Sequence, residues 1–114
     1  MHCDAEVSDL DVEMSLRNHY LNKESYVVEV ANEVSKVLGE KKGRVLTVGC
    51  SVGRIALELG RWFEESIGID YTTRYFQILT KLKESGCLKY KDIAIDMKAM
   101  NLDHSNVQFF QMNP

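Results

Sequence analysis

Two spacings of apolar residues alternate along this chain, and the order in which they follow one another outlines a fold. Between residues 24 and 38, Val27, Val30, Ala31, Val34, Val37 and Leu38 recur three and four apart, the stripe of an amphipathic helix, and Gly39 stands where a C-terminal cap belongs. A polar turn at residues 40–43 delivers the chain into Arg44–Val48, a short apolar run with β-branched members that suits a buried parallel strand. Gly49 opens a turn that closes at Gly53, after which residues 54–63 place Ile55, Leu59 and Phe63 on one helical face. Residues 66–69 form a second short strand, ended by Asp70. Thr72 or Thr73 can cap a further helix that turns Phe76, Leu79 and Leu82 toward the sheet and stops at Gly86. A third strand starts at Val107. Strand, helix, strand, helix, strand is the order of a doubly wound α/β sheet.

Two segments fit that order less well. Ser8 or Asp9 can cap a helix to about Tyr20 with Leu10, Met14 and, at its margin, Leu16 inward, yet Leu10, Val12, Met14 and Leu16 also alternate as a strand would. The pattern alone leaves both open. Residues 87–106 are long for a helix-to-strand connection, and Asp92-Ile93-Ala94-Ile95-Asp96 fits a short edge strand or nothing regular. Residues 1–7 are polar and expected to fray.

Composition narrows the function classes. The 114 residues make one domain, and 45% apolar with 27% charged residues is ordinary globular material. A net charge of −3 without a basic block argues against a nucleic-acid surface. Cys3, Cys50 and Cys87 are odd in number and form no Cys-x-x-Cys pair, so they read as reduced thiols of a cytoplasmic protein, and no metal-ligand spacing occurs. With neither an 18-residue apolar run nor a signal-peptide pattern, no membrane span and no secretion are expected.

The candidate chemistry lies between Gly49 and Asp70. Glycines at a strand-to-helix turn let backbone approach a ligand, and the helix start offers free N–H groups. An acid roughly 20 positions past the first glycine, at the tip of the next strand, can accept hydrogen bonds from ribose hydroxyls. Gly49 and Asp70 stand in that relation. The glycine spacing, Gly-Cys-Ser-Val-Gly, lacks the Gly-x-Gly-x-x-Gly that a pyrophosphate wants, so a nucleoside without pyrophosphate fits better.

This stretch resembles motifs I and II of class I S-adenosylmethionine (SAM) methyltransferases, whose usual form is Val-Leu-Asp-x-Gly-Cys-Gly-x-Gly followed by a strand ending Gly-Ile-Asp. More narrowly, Gly49-Cys50-Ser51-Val52-Gly53-Arg54 with Leu57-Glu58-Leu59, then Gly68-Ile69-Asp70-Tyr71 and Arg74-Tyr75-Phe76-Gln77, is similar to the methyltransferase domain of ovothiol biosynthesis, which N-methylates the imidazole of mercaptohistidine. The likeness runs from about Ser8 to the C-terminus. It includes His19-Tyr20, which matches a His-Tyr pair in that family's first helix and decides the N-terminal ambiguity for helix.

The resemblance implies a Rossmann-like, three-layer α/β/α SAM methyltransferase fold of which residues 1–114 hold the N-terminal half, with helices over 8–39 and a βαβαβ core over 43–114. It implies SAM as cofactor, bound by Gly49, Cys50, Ser51, Gly53, Asp70, Tyr71 and Asn113, with His19, Tyr20 and Arg54 toward a small imidazole or thiol-histidine substrate. Tyr71 lies along the adenine face or simply packs, and Arg54 meets a bound amino acid's carboxylate or a solvent ion pair. Cys50 reads as a small buried filler, Trp62 beside Phe63 as packing under the sheet, and His2 and His104 as solvated. Three positions depart from the family pattern: Thr47 replaces an acid, Ser51 a glycine and Asn113 an Asp. The family's sheet has seven strands and three are counted here, so a partner chain or a missing C-terminal half would complete it, and the isolated chain is expected to be inactive. No general base is assigned. The rivals are a non-catalytic binding or scaffolding module derived from a methyltransferase, and a nicotinamide oxidoreductase, which the glycine spacing disfavours.

Overall fold

The structure, a computed structural model, describes residues 10–22, 25–38, 43–103 and 105–112. Expectations for His2, Cys3, Ser8, Asp9, Gly39, His104 and Asn113 lie outside the described residues.

Helix α1, Leu10–Leu16, runs into a π-helical turn at Arg17–Leu21, and α2 spans Tyr26–Leu38. Strand β1 is Arg44–Val48, α3 is Arg54–Leu59, β2 is Glu65–Asp70 and α4 is Thr73–Ser85. Strands β3, Cys87–Tyr90, and β4, Ile93–Asp96, precede β5, Val107–Gln111. The protein is therefore α/β, with a three-stranded parallel sheet in the order β1-β2-β5 and a separate antiparallel pair, β3-β4.

Alternation along the parallel strands assigns their side chains to two faces. In register, Val45 lies beside Ser66 and Val107, and Thr47 beside Gly68 and Phe109. Helices cover this face: Val45 packs with Ala31, Leu59 and Phe63, and the Ser66 hydroxyl donates to the Ala56 carbonyl at 2.7 Å. Gly68 makes room on this face for Phe109 and Cys50, since a Cβ there would lie 3.0–3.1 Å from their side chains. The expected third layer, over the second face, is not among the described residues.

Several local expectations are corrected. In α1 and the π turn the buried side chains are Val12, Leu16 and Tyr20, while Leu10 and Met14 are exposed, because α4 and the β3-β4 hairpin pack against the other stripe of the helix. In α2 only Val27 and Ala31 are buried; Val30, Val37 and Leu38 face solvent. The third helix stops at Leu59 instead of reaching Phe63: the chain passes into turns after Gly60, which keeps Phe63 inside and leaves Trp62 exposed rather than under the sheet.

The stretch after α4 is a hairpin, not an isolated edge strand. Its inward residues Leu88, Tyr90, Ile93 and Ile95 join Met97 and Leu102 in the main core with Leu57, Ile78 and Leu82. At its tip Lys91 and Asp92 form ion pairs with Glu13 and Arg17, and Arg74 of α4 pairs with Asp11, so charges at the rim reinforce an apolar contact. Cys87 is disulfide-bonded, which corrects the reading of every cysteine as a reduced thiol and removes the ground for expecting the cytoplasm. Among the described residues, no helix is long and apolar enough to cross a membrane, and no group of three metal-binding side chains forms.

Candidate functional site

Open α/β sheets bind ligands beyond the carboxyl ends of their strands, and the glycine turn and Asp70 meet there. The turn after β1 is pinned to β2 by two backbone bonds, with Gly49 N and Cys50 N both donating to the Ile69 carbonyl, at 2.8 and 3.0 Å. Gly53 N closes the turn on the Cys50 carbonyl at 2.9 Å. Three residues in it have positive φ: Gly49 at 76°, Ser51 at 53° and Gly53 at 87°.

The two glycines serve different ends. A Cβ on Gly49 would meet nothing within 4 Å, so this is the open part of the cradle. A Cβ on Gly53 would lie 2.6 Å from Leu79 and 3.0 Å from Phe109. Gly53, expected to bring backbone near a ligand, is buried, and its lack of a side chain lets α3 and α4 approach each other.

Asp70 reaches back across this turn. Its Oδ2 accepts from Ser51 N at 2.9 Å and its Oδ1 from Thr72 N at 3.0 Å, with the residue only 9% exposed. Each carboxylate oxygen keeps acceptor capacity beyond these bonds. The carboxylate thus shapes the cradle and remains able to accept from a ligand. Cys50 fills the floor: it is buried beside Gly68, and burial, helped by the Asp70 charge, pushes its thiol up to about 12. A neutral thiol is a poor nucleophile, as the filler reading requires. Tyr71 is exposed at the same edge, as are Phe110 and Met112. Thr47, standing for an acid in the resembling family, faces the helices with Oγ1 buried and without a hydrogen-bond partner.

The substrate-side trio behaves differently from expectation. Tyr20 is buried and its hydroxyl donates to the Val52 carbonyl at 2.7 Å, buttressing the glycine turn from behind. Arg54 is committed internally: Nε donates to Glu58 at 2.8 Å, Nη1 to the His19 carbonyl at 3.0 Å, and the guanidinium lies 5.4 Å from the centroid of the Tyr20 ring. Its side chain is 11% exposed, so the partner is a buried carboxylate, neither a solvent ion pair nor an open anion site. His19 is half-buried against Tyr26, its ring edge-on at 5.7 Å, with Nε2 3.3 Å from the Tyr26 hydroxyl. Burial and then the Arg54 charge lower its pKa, which favours the neutral ring. Nδ1 is buried without a partner.

Glu58, which the sequence places only within the family-like Leu57-Glu58-Leu59, proves central to this arrangement. Arg61 donates to its other oxygen at 2.8 Å and to the carbonyls of Asn101 and Met100 at 2.7 and 3.2 Å. One carboxylate therefore ties α3 through Arg54 to the N-terminal helix and through Arg61 to the loop before β5. The signal was present as Arg54, Glu58 and Arg61, spaced four and three apart on one helical face.

No family model and no curated protein matches this chain. Among solved structures its fold is similar to that of the YcgJ protein from Bacillus subtilis, with a TM-score of 0.50 and 18% identity over 77% of this chain and 30% of that one. The chain thus spans about 30% of the length of that protein, and at this identity the likeness bears on the fold alone.

Proposed function

We propose that this chain is the cofactor-holding part of a SAM-dependent methyltransferase with a Rossmann-like, three-layer fold, acting on a small imidazole or thiol-histidine substrate. The observation that carries this reading is the meeting of the glycine turn with Asp70 across two parallel strands, Ser51 N to Asp70 Oδ2 at 2.9 Å. The residues present fit a nucleoside: Gly49 leaves backbone open on the ligand side, and Asp70 retains acceptor capacity for ribose hydroxyls. Tyr71, exposed beside it, offers a ring face to adenine. SAM, when bound, supplies an electrophilic methyl group to an acceptor nitrogen. The work of this chain's residues is to hold and orient the cofactor, since alignment supplies much of the rate in such transfers.

A second reading, a non-catalytic module derived from a methyltransferase, is favoured by Thr47, whose buried hydroxyl stands unpartnered where the family has an acid. Calorimetric titration with SAM and with a nicotinamide dinucleotide separates the possibilities. SAM is expected to bind and the dinucleotide not. Asp70→Ala is expected to weaken SAM by about 1–3 kcal/mol, with thermal melting of the unliganded variant reporting any loss from the tethered turn. Unchanged affinity would remove Asp70 from the site, and no SAM binding at millimolar concentration would favour the module.

A further inference from the structure

Cys87 is held in a disulfide, and Cys50 is free. The chain has three cysteines, Cys3, Cys50 and Cys87, which leaves Cys3 as the partner of Cys87. Cys3 stands seven positions before Leu10, where α1 begins, so the bond ties the start of that helix to β3 through at most about 25 Å of chain.

The bond lies outside the core. Along β3 the buried residues are Leu88 and Tyr90, so alternation puts Cys87 on the other side with the exposed Lys89, which faces the equally exposed Ala94 across the hairpin. Cys87 itself is only partly buried. The hairpin has its own attachments: Leu88, Tyr90, Ile93 and Ile95 pack in the main core, and Lys91 and Asp92 pair with Glu13 and Arg17. A disulfide that a reductant can reach, and that the core does not need, belongs with the labile, regulatory ones.

What the bond anchors leads to the candidate site. Helix α1 packs on the core through Val12 and Leu16 and passes into the π turn, where the Tyr20 hydroxyl donates to the Val52 carbonyl and the His19 carbonyl accepts from Arg54. The glycine turn therefore leans on the N-terminal helical segment that the disulfide fastens to β3.

We infer that the Cys3–Cys87 disulfide is a redox-sensitive clamp on the glycine turn, which holds α1 and the π turn behind Val52 when closed and lets them loosen when opened. Opening is a thiol–disulfide exchange with a dithiol. One thiolate of the dithiol attacks a cysteine sulfur, the S–S bond breaks to a mixed disulfide, and the released cysteine takes up a proton. The second thiol of the reductant then displaces the other cysteine, so the dithiol ends as its own disulfide and both cysteines as thiols. The inference does not rest on which ligand the turn holds.

The test uses the 114-residue chain. Trypsin cuts after Arg17, Arg44, Arg54, Lys83 and Lys89 and so separates the three cysteines. With free thiols blocked and no reductant present, mass spectrometry is expected to find residues 1–17 and 84–89 as one linked peptide. A bond to Cys50, or a link between two chains, would overturn the inference. Hydrogen exchange is then followed with and without dithiothreitol. Reduction is expected to speed exchange at least about tenfold in the π turn and at Gly53 N, while β2 and α4 keep their protection. Cys3→Ser and Cys87→Ser should each exchange like the reduced wild type with no reductant present. Unchanged exchange on reduction would overturn the clamp, because the glycine turn would then not depend on the bond. Loss of protection throughout the chain would overturn it too, since the bond would then be a staple of the whole fold.

Discussion

The two faces of the β1-β2-β5 sheet are made from the same three strands, yet they are built on different principles. On the covered face the small Ser66 lets helix α3 sit close enough for side chain and backbone to bond, Gly68 leaves room for Phe109 and Cys50, and the buried Glu58 ties that helix to segments far away in sequence. On the bare face larger aliphatic side chains stand in solvent with nothing described above them. Close approach on one side and apolar excess on the other teach that hydrophobicity marks a surface as fit to be covered. Small residues and paired charges mark where covering has been accomplished within this chain.

Substitutions on the two faces should therefore differ sharply in effect. Glu58→Ala should be the most damaging, costing about 3 kcal/mol of stability, because it strands the buried Arg54 without its carboxylate, while Arg61, a third exposed, keeps its bonds to the Asn101 and Met100 carbonyls. Chemical denaturation measures this, and a loss below about 1 kcal/mol would mean that the network contributes little to the covered face. Gly53→Ala follows at about 2–3 kcal/mol, from a left-handed φ of 87° combined with a Cβ 2.6 Å from Leu79. Relief by the compensating Leu79→Ala would identify the contact as the cause, whereas no relief would assign the effect to the backbone.

Smaller effects sharpen the contrast. Ser51 occupies a φ of 53° in which glycine is at ease, so Ser51→Gly should stabilise by about 1 kcal/mol while leaving the backbone bond to Asp70 in place. A destabilised Ser51→Gly in the same denaturation experiment would show that the serine side chain supports the turn. Least of all, Leu46→Thr on the bare face should change the stability of the isolated chain by no more than about 0.5 kcal/mol. A larger loss would mean that Leu46 is already covered.

Legibility in the sequence also differs between regions. Strand β1 and helix α4 stand out because glycines bound them, Gly43 and Gly49 around the strand and Gly86 after the helix, which takes a φ of 74° and bonds back to Leu82 as a C-terminal cap should; β2 stands out by its apolar residues leading to Asp70. The hairpin was ambiguous because its strands have four residues each, too few for alternation to separate strand from loop. In α1 the sets Leu10 with Met14 and Val12 with Leu16 have equal helical spacing, and nothing local selects between them. At the candidate site the glycine turn and Asp70 were visible as residue types, but Tyr20 and Arg54 were read as facing a substrate when they support the turn from within.

By itself the sequence determined what depends on a few neighbouring residues: the apolar runs, the glycines where φ turns positive, the acid at the tip of β2 and the order of strands and helices. The tertiary structure decided what depends on residues returning from a distance. It selected which stripe of α1 is buried, assigned the Tyr20 hydroxyl to Val52, bound Glu58 to two arginines and left one face of the sheet bare. The physical reason is that a backbone preference is settled by local sterics, whereas burial and pairing require surfaces brought together by the whole fold, which alternation within a single strand cannot specify.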